Sequence, residues 1–542
     1  MASATRSPGL PRLGQGWWPS ERAAQLLLAA ALTVGVLIPL TLSIVTGSIS
    51  IPHNDAWSHA VIASTFAETG RIELVGWNRS SLVGQIVVLG PLAGSVVLQH
   101  LWVAAMAAVG LLATHRLVAA RTNETGGATV ALVVACAPQF GLLATSYMTD
   151  VPAYAAVVLS LTLADTALAS GRLGVLALSL AVGLWGVTIR EQALVAPAAV
   201  ALSALWLLRG RARRIAGIQV AAASVLFGAF EVWRRSLPNG DPPRIAWSLV
   251  EAGTGAAGAL MALGLCAAPL VLSCRPPKAP RWILVLTAVV VAGLGAAWVN
   301  LSRSASIAGN YVTNFGAYPE ASPAPRIIMP DALWYAVLAM AVLSVSWLTA
   351  ITLGAILTRP DGHPDHRSTD PLIPLTLAFL LAGTVLQAAI GQMVFGRYLL
   401  PAVPLVAILL RPHWIRLTVV GWVGLALNAG MGLVLTADAL ARDAALWRAA
   451  EAQVAAGVES DTINAGLAWV GTHAELPARS GLADREGSAL PRIMGMFPES
   501  SECYVITANP GLDLPIADEI QYRRWALTGS GVMYVYEQNP CR

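Results

Sequence analysis

Apolar stretches long enough to cross a lipid bilayer recur along most of the chain and are separated by short polar segments. A helix needs about 20 apolar residues to span the hydrocarbon core, so each such stretch predicts a transmembrane helix. We predict about thirteen spans, at residues 24–44, 96–119, 128–144, 151–169, 173–189, 194–208, 216–233, 249–272, 282–299, 333–357, 372–390, 399–410 and 417–435. The stretch 82–92 is broken by Gly84, Gly90 and Pro91, which favours a re-entrant or interfacial segment.

The chain changes character after residue 436. Segments 503–507 and 532–536 are typical of short strands, and Pro and Gly turns separate them. We therefore predict an all-α polytopic membrane protein with a small extracytoplasmic α/β domain at its C-terminus. Its parts are an N-terminal segment 1–23, a transmembrane domain 24–436 with a first external loop 45–95, and the C-terminal domain 437–542.

Composition excludes two classes of protein. Hydrophobic residues make up 56% of the 542 positions, and a mean hydropathy of +0.64 is too high for a soluble domain of this size. The net charge of +4 is small and the arginines are scattered, so no nucleic-acid partner is expected.

The distribution of Arg and Lys predicts the orientation of the chain in the membrane. If the N-terminus is inside, the inner loops carry nearly twice as many basic residues as the outer ones, and the run RGRARR at 209–214 is inside. We expect a multi-pass plasma-membrane protein with a cytoplasmic N-terminus and an extracytoplasmic tail. Cys503 and Cys541 lie in that tail, and whether they form a disulfide stays open at this point.

This orientation places several charged residues at the outer ends of spans. The first is Asp55, in the polar stretch that follows the first span. A helix is predicted from Asn54 to about Glu68, with Asn54 as its N-cap and Gly70 as its stop. Asp55 is either a catalytic base or only part of that helix start, and its position at the membrane interface favours the base.

Three further sites are weighed in the same way. Asp150, in the run YMTDVP, either caps the fourth span or binds a polar acceptor or metal near Asp55. Arg190 and Glu191 either mark a tight turn or form a phosphate site in which Glu191 holds Arg190 in place. Arg397 either extends toward the interface from a helix end or binds phosphate together with Tyr398.

Two smaller groups complete the candidates. His53 and His59 are able to bind a metal together with Asp55, but their spacing names no metal. A divalent metal is therefore possible, and no cofactor is predicted with certainty. Trp57, Trp77 and Trp334 are expected in the aromatic belt of the membrane interface.

These motifs resemble the GT-C glycosyltransferases. The polar loop after the first span, the run TDVP at 149–152 and the run RYLLPAVP at 397–404 are similar to the branch of the protein O-mannosyltransferases and lipid A aminoarabinose transferases. The resemblance implies a polyprenyl-phosphate sugar donor and an outer-face active site. It maps the catalytic Asp to Asp55, a second acid to Asp150 and a phosphate-binding Arg to Arg397, with Arg190 a looser match. The family's paired acids stand here as Asn54-Asp55, which favours a mechanism without metal.

The motifs predict a glycosyltransferase that moves a sugar from a lipid-linked donor to a hydroxyl of a glycan, lipid or protein acceptor, and the resemblance implies inversion at the sugar carbon. Asp55 would be the base, and Arg397, Tyr398 and Arg190 would stabilise the departing phosphate. The external segment 301–330 is expected to close over the site. The alternatives are a transporter or flippase of a lipid-linked or amphipathic solute, and a scaffold subunit with a vestigial site.

Overall fold

The computed structural model describes residues 20–77, 83–239, 245–276, 280–301, 309–323, 327–357, 370–411, 413–414, 416–475, 478, 484–525 and 529–541. Most of the predicted N-terminal segment 1–23, and parts of the predicted segment 301–330, lie outside these residues. Helices dominate the described chain up to residue 455, and a small sheet follows.

The membrane part consists of helices that follow one another with short connections. Their bounds are α1 Ser20–Leu32, α2 Ile38–Thr46, α3 Ala56–Thr69, α4 Val83–Leu89, α5 Val96–Arg121, α6 Glu124–Ala135, α7 Phe140–Leu143, α8 Asp150–Ser170, α9 Leu173–Ile189, α10 Val195–Leu207, α11 Gly210–Arg235, α12 Leu249–Val271, α13 Arg281–Leu301, α14 Asp331–Leu357, α15 Leu372–Ala389, α16 Ala402–Leu409 and α17 Val419–Ala455. A π-helical turn, Thr33–Leu37, joins α1 to α2.

Within the described residues, eight helices are long and apolar enough to cross a membrane, and five shorter apolar helices accompany them. The polytopic helical architecture is confirmed. The predicted span 399–410 is wrong, because α16 has only eight residues and rises about 12 Å, far less than the bilayer core. The predicted span 128–144 is also interrupted, since α6 ends at Ala135 and the short α7 begins at Phe140.

The centre of the bundle is close-packed through small residues. Helix α5 packs against α6 and α8, while α8 also packs against α9. At Gly110 of α5, a Cβ atom would lie 2.6 Å from the ring of Tyr154 on α8, so only glycine permits this approach. Close backbone approach of this kind is how helices associate where no water drives them together.

Helix α17 joins the membrane part to the C-terminal domain without a break. Its 37 residues span about 55 Å, well beyond a hydrocarbon core of about 30 Å. Position 436, the predicted end of the transmembrane domain, lies inside this helix. Its last turns bury Ala441, Ala445 and Ala449 against the sheet, so the C-terminal domain uses α17 as part of its core.

The C-terminal domain contains the predicted strands and two that were not predicted. Its elements are β1 Ile463–Asn464, α18 Leu467–His473, α19 Pro491–Met494, β2 Tyr504–Thr507, β3 Ile516–Arg523 and β4 Ser530–Glu537. The sheet order is β1-β2-β4-β3, with β1 parallel to β2 and the other pairs antiparallel. A disulfide joins Cys503 to Cys541 and ties the last residues to the start of β2.

The same domain packs directly onto helix α3. The ring of Trp57 is fully buried, lies 5.8 Å from the ring of Phe497 and covers Gly471 of α18, where a Cβ would lie 2.3 Å from the indole. Trp334 is also buried. The prediction of an interfacial belt is therefore wrong for these two residues, because protein rather than lipid headgroups covers them.

Candidate active site

The turn before α3 holds Asp55 in an unusual position. Helix α3 ends at Thr69 with Gly70 as its stop, as predicted, but it begins at Ala56 rather than at Asn54, and Asn54 does not cap it. Asn54 has a left-handed backbone with φ of 46°, and Asp55 occupies the N-cap position without a side-chain capping bond. The backbone closes the turn instead, since the Ala56 N–H donates to the His53 carbonyl at 2.9 Å. The Asp55 carboxylate is therefore not used to start the helix.

Asp55 instead faces Arg397. Its Oδ2 lies 3.9 Å from Nη2 of Arg397, and its side chain keeps 21% exposure. Burial raises the pKa of Asp55 above its ordinary value, and the nearby charge of Asp150 acts in the same direction. The positive charge of Arg397 and a hydrogen bond with Trp77 offset this only in part. Asp55 is thus a partly accessible carboxylate that is more basic than one in water.

Asp150 lies at the first turn of α8 and is fully enclosed. Its Oδ1 accepts hydrogen bonds from Nε of Arg397 at 3.1 Å and is 3.2 Å from Nη1 of Arg190. Its side chain has no solvent exposure. Thr149 is at the N-cap, and neither residue makes a side-chain capping bond. Capping alone therefore does not explain Asp150, whose role here is to hold two guanidinium groups.

Arg190 lies just after α9 and projects toward Asp150. It donates to Oγ1 of Thr149 and, at 3.1 Å, to Oε1 of Gln192. Its guanidinium carbon lies 4.2 Å from the centre of the Tyr398 ring. Glu191 does not hold it in place. That carboxylate is 2.6 Å from Nη1 of Arg234 and 45% exposed, so the predicted support from Glu191 is wrong.

Arg397 is the centre of the cluster. It lies in the 3-10 turn Gly396–Leu399 and its side chain is only 3% exposed, so it does not extend toward solvent or lipid. Its guanidinium donates to Asp150 and, at 3.0 Å, to Oδ1 of Asn310. It also stacks on Phe395 at 4.0 Å and on Tyr311 at 4.7 Å. These contacts fix the plane of the guanidinium.

The four charged residues form a row of alternating sign. Asp55 neighbours Arg397, Arg397 neighbours Asp150, and Asp150 neighbours Arg190. They come from four separate segments of the chain, and Asp55 and Arg397 are 342 positions apart. The structure thus brings together the two acids and two arginines that the sequence analysis proposed.

A cleft opens at the Arg190 end of this row. Its walls combine the charged groups with apolar ones. The residues that define it are Asp150, Arg190, Gln192, Leu380, Arg397 and Tyr398. Two guanidinium groups beside an apolar wall suit a phosphate attached to a hydrocarbon chain.

The two histidines do not form a metal site with Asp55. Nδ1 of His53 is 2.9 Å from Oδ2 of Asp443, and its ring stacks on His100 with centroids 5.4 Å apart. Nδ1 of His59 is 3.0 Å from the carbonyl of Tyr147. In the parts of the chain that the structure describes, no three His, Cys, Asp or Glu side chains gather closely enough to hold a metal ion. The donor set therefore does not fit the divalent metal considered above.

Three residues at the site were missed by the sequence analysis. Asn310 accepts a hydrogen bond from Arg397, and Asp443 accepts one from His53. The hydroxyl oxygen of Tyr311 lies 3.4 Å from the amide nitrogen of Asn54. The first two belong to the segment expected to cover the site, and 309–323 does pack there. One feature of the sequence indicates Asp443, because this carboxylate stands next to Arg442 inside the Ala-rich run 437–450.

Comparisons with known proteins give structural neighbours only. No protein-family model matches the chain, and no curated protein matches it. Among solved structures, the chain is similar to ArnT from Cupriavidus metallidurans bound to undecaprenyl phosphate, with 14% identity and a TM-score of 0.37 over 94% of this chain and 97% of that one. It is also similar to the apo state of the same protein, with 13% identity and a TM-score of 0.38 over 95% and 98%.

Proposed function

We propose that this protein is a membrane glycosyltransferase that moves a sugar from a polyprenyl-phosphate donor to an acceptor hydroxyl at the extracytoplasmic face, with inversion at the sugar carbon. The observation that carries the proposal is the alternating row Asp55, Arg397, Asp150, Arg190. A partly exposed carboxylate stands at one end of the row, and two enclosed guanidinium groups line a cleft at the other. Single displacement at a phosphorylated sugar needs both chemical functions, one on each side of the anomeric carbon.

Different residues of the row act on the donor and on the acceptor. The donor phosphate lies at Arg190 and Arg397, where the guanidinium groups and Tyr398 face the cleft. The acceptor hydroxyl approaches Asp55, which takes its proton as the oxygen attacks the anomeric carbon. The bond from that carbon to the phosphate oxygen breaks, and the electron pair leaves with the phosphate. The two arginines stabilise the charge that develops there. One displacement from the side opposite the phosphate gives inversion.

Asp150 acts on the arginines rather than on the substrate. It is enclosed between two cations, so its charge orients both guanidinium groups before the donor arrives. Charge-assisted hydrogen bonds of about 3 Å fix direction as well as position. We assign Asp150 a positioning role in place of the acceptor or metal binding considered from the sequence.

The extracytoplasmic location has its own support. The Cys503–Cys541 disulfide lies in the domain that the Arg and Lys distribution places outside, and disulfides persist in oxidising compartments. Cytosolic sugar nucleotides do not reach that face, so the activated sugar has to arrive on a lipid carrier. The acceptor is then a glycan, lipid or protein of the outer surface.

The test is transfer of label from a radiolabelled polyprenyl-phosphate sugar by purified protein. Undecaprenyl phosphate is the carrier to try first, with several sugars. Wild type should release or transfer the label, and Asp55→Asn should not, although the variant unfolds at no lower temperature than wild type. If wild type turns over no donor but moves one across proteoliposomes, the transporter alternative replaces this proposal. Equal turnover by both proteins would remove Asp55 from the reaction.

A further inference from the structure

Asp443 is a buried carboxylate that joins two distant segments. It lies on α17, and its Oδ2 accepts hydrogen bonds from Nδ1 of His53 at 2.9 Å and from the hydroxyl of Tyr318 at 2.5 Å. Its Oδ1 is 3.3 Å from Nη2 of Arg442. His53 and Tyr318 are both essentially unexposed. Because Asp443 accepts from it, Nδ1 of His53 carries the proton.

The first of these segments is the turn that carries Asp55. His53 contributes its side chain to Asp443 and its carbonyl to the turn, where it accepts from the Ala56 N–H. Asn54, between His53 and Asp55, stands in the left-handed region. A single residue in that region sets the direction of the next one, so an anchor at His53 fixes where the Asp55 carboxylate points.

The second segment is 309–323, which covers the site. Tyr318 binds Asp443, and its ring lies 5.6 Å from that of Tyr311. Tyr311 in turn contacts Asn54 and stacks on Arg397, and Asn310 accepts from Arg397. The two segments that Asp443 holds are therefore the same two that contact Arg397 from the side of Asp55.

We propose that Asp443 is a positioning residue for glycosyl transfer: by holding His53 and Tyr318 together, it sets the distance between the base Asp55 and the leaving-group cation Arg397. The inference rests on the proposed function. In Asp443→Asn the amide has one acceptor oxygen and one NH2 group, so the NH2 group faces either the donors of His53 and Tyr318 or the Arg442 guanidinium. The charge that strengthens these contacts is lost as well, and buried donors without a good partner relax toward other positions. A residue that only stabilised the fold would lower the unfolding temperature and leave turnover by the folded protein unchanged.

The chain provides a matched control on the same helix. Asp438 lies five residues earlier on α17, its side chain is only 6% exposed, and it is 3.1 Å from Nη2 of Arg524 in the C-terminal domain. Asp443→Asn and Asp438→Asn each remove one buried charge from one helix. We expect Asp443→Asn to lower kcat about 10- to 100-fold with KM changed little, as is usual when a supporting residue behind a site is removed. Asp438→Asn should keep kcat close to that of wild type.

His53 provides a rescue test. In His53→Asn, the amide nitrogen stands close to the place of Nδ1 and is able to donate to Asp443, whereas in His53→Leu nothing donates. The proposal expects His53→Asn to keep most of the wild-type kcat and His53→Leu to match Asp443→Asn. Equal losses in both His53 variants would overturn it, as would an unchanged kcat in Asp443→Asn.

Hydrogen exchange gives a readout that needs no donor. In Asp443→Asn, peptides covering 48–56 and 309–323 should exchange faster, while Asp438→Asn should leave 48–56 unchanged, since only Asp443 of the two binds His53. If exchange in those two peptides is unchanged, Asp443 does not anchor them and the inference fails. If wild type turns over no donor, the proposed function fails, and the exchange result still decides whether Asp443 holds the two segments.

Discussion

Asp55 and Asp150 both stand at the start of a helix, and neither side chain caps it. Asp150 has no solvent exposure and lies within 3.2 Å of two guanidinium groups, whereas Asp55 is 21% exposed and 3.9 Å from one. Protonating Asp150 would leave two buried cations without their counter-charge. Protonating Asp55 weakens one loose ion pair with Arg397 and a hydrogen bond with Trp77. The comparison teaches that the same residue type in the same local structure divides into a structural acid and a chemical one according to how tightly it is paired.

The largest effect should follow from Asp55→Asn. The variant keeps the size of the side chain but removes the base, so we expect turnover to fall by about 10²- to 10⁴-fold. The variant should be no less stable than wild type, because the neutral amide avoids the burial cost that raises the pKa of Asp55, and this outweighs the lost 3.9 Å contact with Arg397. Label transfer and thermal unfolding of the same preparation measure both. A folded variant with wild-type turnover would contradict the assignment of the base.

Asp150→Asn should, in contrast to Asp55→Asn, clearly lower the stability of the protein. Removing the charge leaves Arg190 and Arg397 uncompensated in a site without exposure, and breaking a buried ion pair costs about 3–5 kcal/mol. We expect a clear loss of stability together with a fall in donor affinity, since the guanidinium groups lose their orientation. Denaturant unfolding in detergent and donor binding are the measurements. If Asp150→Asn is as stable as Asp55→Asn, the distinction between the two acids fails.

The pH dependence sharpens the contrast further. Burial raises the pKa of Asp55 above its ordinary value of 3.8, and Arg397 offsets this only in part. The acid limb of kcat/KM should therefore have its midpoint above 3.8. The folded protein also holds this proton to higher pH than the unfolded chain does. Its free energy of unfolding accordingly decreases as pH rises from 3.8 through the raised pKa.

The Asn variant lacks this linked proton. Relative to wild type, Asp55→Asn should therefore gain stability as the pH rises above 3.8, and it should lose none. Unfolding of both proteins at several pH values measures the difference. If wild type instead becomes more stable than the variant as pH rises, the folded protein stabilises the ionised carboxylate, and the predicted direction of the Asp55 pKa shift is wrong.

Sequence patterns predict those parts of the site that depend on local chemistry and on membrane topology. The first long helices, the start of α3 near Asp55 and its end at Gly70 follow from apolar length and from the preferences of helix termini. The Arg and Lys distribution, which sets alternating sides, was enough to group Asp55, Asp150, Arg190 and Arg397. Local pattern did not show which of two adjacent charges, Arg190 or Glu191, faces inward.

The contacts that complete the site depend on tertiary packing. His53 and Asp443 are 390 positions apart, and Arg397 and Asn310 are 87 apart. Nothing in the local sequence distinguishes Asp443 from Asp438, although one holds the active-site turn and the other the sheet. The apolar stretch 399–410 predicts a span, but its α-helix covers only Ala402–Leu409, which is too short to cross a bilayer. Hydrophobicity reports burial but does not report which partner provides it.

The smallest effect should come from Glu191→Gln. Glu191 follows Arg190 directly, yet its carboxylate pairs with Arg234 and is 45% exposed. Exposed ion pairs contribute about 0–1 kcal/mol, and solvent screens this one. Turnover should therefore stay within about twofold of wild type, and the free energy of unfolding should change by less than about 1 kcal/mol. Transfer assays with Glu191→Gln and Asp150→Asn side by side measure this. A large loss in Glu191→Gln would mean that Arg190 depends on its neighbour in the chain rather than on Asp150, and the alternating row would lose its last member.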